Sequence, residues 1–180
     1  CKNALINYTE AIKFHDSSKY KARLYDAHKG RLFCYLELKD EQKFDEELLT
    51  VLKLCEENRV RIRYEQTRNV FFNNEQNVYD LAVDYEFSKK NFEKAFDYSE
   101  KSRSRSLLDL VKNGAKVEDL SANLEVKLKD ISEPLGLSEL RQQIPDNVQL
   151  IQYAVLRDKV LIWLVSKENF EIFPSLIKSE

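Results

Sequence analysis

The sequence predicts a mainly helical chain: an array of antiparallel helical hairpins, a short linker, and a β-hairpin that opens an α/β domain. Three observations predict it. The 180 residues include only 3 Gly and 3 Pro, too few for the tight turns of an all-β sandwich. Apolar residues recur at helical spacing as far as Val111. Beyond Pro145 the pattern changes to β-branched and aromatic runs. Composition agrees: hydrophobic residues make up 43% and charged residues 33%, which supplies a core and is unlike a disordered tail. The formal net charge of −2 argues against a nucleic-acid partner, which calls for a basic surface. No apolar run approaches the roughly 20 residues of a membrane-spanning helix.

The elements follow in order. Ala4, Tyr8, Ala11, Ile12 and His15 form one apolar helix face, and Asp16-Ser17-Ser18 offers a stop and a new N-cap. A second helix is expected over about Tyr20–Leu38, with Leu24, Ala27, Cys34 and Leu38 on one side. Gly30 sits inside it, where a small residue admits a close neighbour. Lys39–Gln42 is a polar break. A third, long helix is expected from Phe44, with Leu48, Val51, Leu52 and Cys55 as its stripe, running on as far as Phe71. Asn73 followed by Gln76 fits a capping-box variant for the next helix, which carries Val78, Leu81, Ala82 and Tyr85. After a turn at Ser88–Asn91, another helix runs from Phe92 to Val111 and ends at Asn113-Gly114.

Ala115–Glu133 is polar and reads as a connector with a short helix around Val117–Leu128. Ser138–Ile144 reads as one more short helix, stopped by Pro145. Val148–Leu156 and Lys159–Ser166 are strand-like and flank the turn Arg157-Asp158, and Phe170–Phe173 starts a third strand. Val160–Val165 is apolar at odd and even positions, the mark of a strand covered on both faces. That cover must come from the helices or from further sheet.

The chain begins without Met, and Cys1–Leu5 already reads as helix. The expectation is an internal piece of a longer cytoplasmic protein, any signal peptide lying outside this sequence. Cys1, Cys34 and Cys55 are odd in number and lack a CxxC spacing, so they read as buried thiols on helix faces in a reducing compartment. His15 and His28 are not spaced as zinc ligands with any of them. No cofactor or metal is expected, and there is no Walker-type loop, GxSxG or HExxH.

Other clusters read more simply as structure. Arg59, Arg61, Arg63 and Arg68 suit an acidic partner or RNA, but Glu56, Glu57 and Glu65 offer them pairs on a solvated face. Tyr8, Tyr20, Tyr25, Tyr35 and Tyr79 suit either a peptide groove or packing between repeats, and Trp163 suits the core.

Leu81, Ala82 and Tyr85, then Phe92, Ala95, Ser99 and Ser102, keep nearly the spacing of a tetratricopeptide (TPR) repeat, which they resemble. The run Phe92–Val111 resembles the last TPR helix of proteins that join TPR repeats to a CHAT domain, through Ala95, Glu100, Arg103, Arg105, Leu107, Leu108, Asp109 and Leu110. The order continues through Leu137–Ile144, Pro145, Leu150, Tyr153 and Val160–Val165.

This resemblance implies TPR-like repeats over 1–113, a linker over 114–133 and the incomplete start of a caspase- and separase-like peptidase domain over 134–180. It implies repeat packing at Leu81, Ala82, Tyr85, Phe92, Ala95, Ser99 and Ser102. It also implies an interface between repeats and CHAT domain at Tyr98, Arg103, Arg105, Leu107 and Leu108. The family's catalytic His and Cys lie downstream of the hairpin, and here neither type occurs after Cys55. No residue of this chain is therefore expected to be catalytic. A protein or peptide partner is expected on the repeats, and the remainder of the CHAT domain on the hairpin. The alternative is a TPR adaptor with no peptidase attached.

Overall fold

The computed structural model describes residues 1–17, 23–62, 65–112 and 135–177, and within them the side chains of all but 59–60, 65–74 and 104–112. The chain is mainly helical with a small antiparallel sheet at its C-terminal end. The helices are α1 (Lys2–Ser17), α2 (Leu24–Leu38), α3 (Glu41–Arg61), α4 (Glu65–Ser88), α5 (Phe92–Lys112) and α6 (Leu137–Gln143). The strands are β1 (Leu150–Val155), β2 (Lys159–Val165) and β3 (Phe170–Leu176). Two compact units divide the chain, Cys1–Glu75 and Gln76–Glu180.

In the first unit the predicted stripe of α1 is its less exposed side: Ala4, Tyr8, Ala11, Ile12 and His15 are all half-buried. Gly30 of α2 admits that helix. A Cβ at Gly30 would lie 2.3 Å from the Tyr8 ring, well inside van der Waals contact. Leu24, Tyr25, Ala27, Leu32 and Cys34 of α2 meet Phe44, Leu48, Val51, Leu52 and Cys55 of α3 in the core. Their connection is two residues long. Lys39 takes a left-handed backbone, φ 56°, and its N–H and that of Asp40 close onto the last carbonyls of α2. The Asp40 carboxylate accepts from the Lys43 N–H at 3.3 Å, capping α3.

Two helix boundaries differ from expectation. Helix α3 begins at Glu41, inside the polar break expected over Lys39–Gln42, because Asp40 caps it. The expected start of α2 at about Tyr20 lies outside the described residues, and α2 is described from Leu24. The expected helix to Phe71 is two helices, broken after Arg61, and α4 runs through Asn73 without a new start. A capping box needs an N-cap in extended backbone; the Asn73 backbone is helical, where Asn costs only a few tenths of a kcal/mol. The expected helix around Val117–Leu128 lies outside the described residues.

In the second unit α4 and α5 form a helical hairpin. Lys90, φ 63°, makes the turn, and Phe87 and Phe92 stack across it with ring centroids 5.6 Å apart. Glu86 is fully buried, yet its carboxylate accepts from Lys94 Nζ at 2.5 Å and Asn91 Nδ2 at 2.8 Å. The sheet order is β1-β2-β3, antiparallel throughout, with Gln152 opposite Trp163 and Trp163 opposite Ile172.

One face of this sheet lies on the hairpin. Trp163, Leu161 and Val165 are completely buried. Phe96 of α5 meets Trp163 and Phe170 edge to face, at 5.7 and 5.8 Å. Lys159 Nζ reaches Asp84 of α4 at 2.5 Å. Helix α6 is tied down at both ends: the Leu137 N–H donates to Asp97 of α5 at 2.8 Å, and Arg141 donates to the Ser166 and Lys167 carbonyls. The helices therefore cover one face of β2. The opposite face is open among the described residues.

Candidate functional site

The cavity with the most chemistry in the second unit lies where α4 and α5 meet the edge of the sheet. Helical spacing brings its wall together. Gln76, Asp80 and Val83 stand three and four residues apart on α4, as do Ser99, Ser102 and Arg103 on α5, so each set shares one helix face. Tyr153, Ala154 and Val155 of β1 complete the lining of a space of about 210 Å³.

Its polar groups are unevenly satisfied. Gln152 of β1, buried, donates from Nε2 to Ser99 Oγ at 3.2 Å. Arg103 is exposed and makes a long contact of 3.5 Å to the Tyr153 carbonyl. Ser102 Oγ is buried with no hydrogen-bond partner among the described residues. The Asp80 carboxyl is half-buried, and burial alone pushes its pKa up to about 6. Among the described residues no neighbouring cation offsets that burial.

Among the described residues β1 is an edge strand, and its ladder geometry is fixed by the hairpin turn. The Leu156 N–H bonds to the Lys159 carbonyl at 2.8 Å. In an antiparallel ladder hydrogen-bonded pairs alternate with non-bonded ones, so Ala154 and Gln152 point their amides at β2. Ile151, Tyr153 and Val155 point theirs outward to the open edge, which agrees with Arg103 meeting the Tyr153 carbonyl. The side chains of the same three residues stand on the open face of the sheet, 57%, 53% and 68% exposed. Phe173 joins them at 49%, with Ile162 and Leu164 half-buried between.

Of the residues expected in repeat packing, Ala82 and Ala95 are completely buried, and Leu81, Tyr85 and Phe92 are half-buried. Ser99 and Ser102 are buried on the side of α5 that faces β1. Of those expected at the domain interface, Tyr98 is buried beneath Lys94 and Lys101, whose Nζ atoms lie 5.8 and 5.9 Å from its ring centre. Arg103 lines the cavity. The side chains of Arg105, Leu107 and Leu108 lie outside the described residues. The sequence pattern does not single out Asp80 or Gln152. The available signal is an acid three residues before Val83 and four after Gln76, on a helix whose buried positions include Val83.

Cys34 and Cys55 are buried as expected, whereas Cys1, exposed just before α1, is not. The histidines and cysteines form no catalytic pair among the described residues. His28 Nδ1 faces the buried Glu47 carboxylate at 2.8 Å, and Arg31 grips the same carboxylate through Nη2 at 2.7 Å and Nε at 3.0 Å. Burial opposes the charge on Glu47, but the hydrogen bonds from His28 and Arg31 outweigh it and hold the carboxyl below its usual range. Burial and the nearby Glu56 push the Cys55 thiol up to about 11, so it is not a thiolate at neutral pH. Tyr25 and Lys29 both reach Glu75. Arg61 pairs with Glu57 at 3.7 Å on an exposed face, the solvated arrangement expected of that cluster. Among the described residues no group of three His, Cys, Asp or Glu could hold a metal ion, and no helix is long and apolar enough to cross a membrane.

No protein-family model, curated protein or solved structure matches this chain.

Proposed function

We propose that the chain is a protein-binding and scaffolding segment, catalytically inert in itself, of the kind that joins a TPR array to a caspase-like CHAT peptidase domain. The observation that carries this reading is the open sheet surface. Ile151, Tyr153, Val155, Ile162, Leu164 and Phe173 form an apolar layer on the side of the sheet away from the helices, and a layer of that kind calls for a covering partner. The α5 helix, which carries the resemblance, packs directly on the sheet through Phe96 and Trp163, so a partner held by the repeats has a rigid element through which to act.

A peptide-cleavage assay tests the reading. The 180-residue chain is expected to cleave nothing, since it has no His or Cys after Cys55; cleavage by this chain overturns the assignment. A second reading, an adaptor that pairs with a partner's strand and serves no peptidase, is favoured by the outward amides of β1. The reading frame past Glu180 separates the two. Apolar strands followed by His and then Cys support the peptidase, and a stop codon supports the adaptor.

A further inference from the structure

The geometry points to the β1 edge as a docking site for an extended peptide strand that carries a lysine or arginine, whose side chain enters the cavity between Asp80 and Ser102. The inference rests on the protein-binding reading above and names its partner.

Three independent features converge there. The first is backbone: Ile151, Tyr153 and Val155 offer their amides outward along the six-residue strand β1, a template for one more strand. The second is register. A residue paired opposite Ala154 on an added strand shares its face of the sheet, the inner face with Gln152, and Ala154 itself lines the cavity. The third is chemistry. Among the described residues, Asp80 is a half-buried carboxylate with no cation against it, and Ser102 Oγ is a buried hydroxyl with no partner. Both are open to donors, and a basic side chain supplies donors and charge together.

The space of about 210 Å³ suits one side chain rather than a drug-sized ligand. Arg103 is the one cation in the lining among the described residues; its 3.5 Å contact to the Tyr153 carbonyl occupies the edge acceptor that a docking strand needs. Arg103 then acts as a displaceable cover on a sheet edge, the kind of charged guard that discourages unwanted pairing.

The test uses the 180-residue chain and short peptides of alternating threonine and valine that differ only at the central residue: arginine, leucine or glutamate. Affinities are read by calorimetry. The arginine peptide is expected to bind about tenfold or more tighter than the other two. Asp80→Asn, which keeps the shape, is expected to erase that preference. Methylating alternate backbone nitrogens of the arginine peptide is expected to abolish binding. Equal affinity for the three peptides, or an Asp80→Asn chain that keeps the preference, overturns the pocket assignment and leaves the protein-binding reading standing. Binding of none of them overturns both. A dimer of the chain that the arginine peptide does not dissociate assigns the edge to a second copy and also overturns the proposal.

Discussion

Phe96 and Trp163 meet edge to face, ring centroids 5.7 Å and planes 86° apart, and both are completely buried. This contact joins the helical hairpin to the sheet. Phe96→Ala is expected to cost about 3–5 kcal/mol, the loss of a large core side chain plus its cavity. Trp163 is the only tryptophan, so its emission in urea titrations reports the change. Trp163→Phe is expected to cost far less, about 1 kcal/mol, because it also removes an indole N–H that has no partner among the described residues. Circular dichroism follows that variant.

Glu47 makes the first unit sensitive to acid. Its carboxyl is held below the usual range by His28 and Arg31 despite burial, so it contributes stability above the unfolded carboxyl value of about 4.3 that is lost as pH falls through the lower folded value. Glu47→Gln removes the charge that buried His28 and half-buried Arg31 both donate to and is expected to cost about 3 kcal/mol at neutral pH. The cost shrinks in acid, as urea midpoints measured at successive pH values will record.

Asp80 has the opposite sign. Burial raises its pKa from 3.8 to about 6, so the folded form holds a proton that the unfolded chain has released. Its penalty on stability grows as pH rises through that interval and is complete above it. Asp80→Asn is expected to stabilise the chain by about 1 kcal/mol at pH 8, after discounting for partial exposure, and to have little effect below the unfolded value. Thermal unfolding across pH checks both limbs.

Lys39 and Lys90 both end helices with positive φ, 56° and 63°. Lys39→Gly and Lys90→Gly are each expected to stabilise the chain by about 0.5–1 kcal/mol, since glycine takes that backbone without a Cβ penalty. Thermal midpoints of the two variants are the check.

Much of the fold was legible because it rests on periodicity. The half-buried stripe of α1, a polar break after Leu38 (expected over Lys39–Gln42, observed as Lys39-Asp40), the role of Gly30 and all three strands follow from local pattern. Asn73 misled because a capping residue and a tolerated mid-helix residue share one identity, and the choice between them lies in the backbone. Val160–Val165 read as covered on both faces; one face is indeed on the helices, while the other is apolar and open. The candidate site was half legible. Ser99 and Ser102 stood out as repeat-packing positions and Arg103 as an interface position, through the family resemblance and not as the wall of a cavity. Asp80 did not, because what distinguishes it is a missing cation, and pairing is set by tertiary placement. The grip of His28 and Arg31 on Glu47 was hidden for the same reason: the carboxylate sits on another helix.

Amide hydrogen exchange along β1 tests the central claim, an open edge that takes up a strand. Without peptide, the Gln152 and Ala154 amides are expected to be protected and those of Ile151, Tyr153 and Val155 to exchange freely. Saturation with the arginine peptide is expected to protect the latter three. Five amides that exchange alike, or an alternation that the bound peptide leaves unchanged, contradict the account.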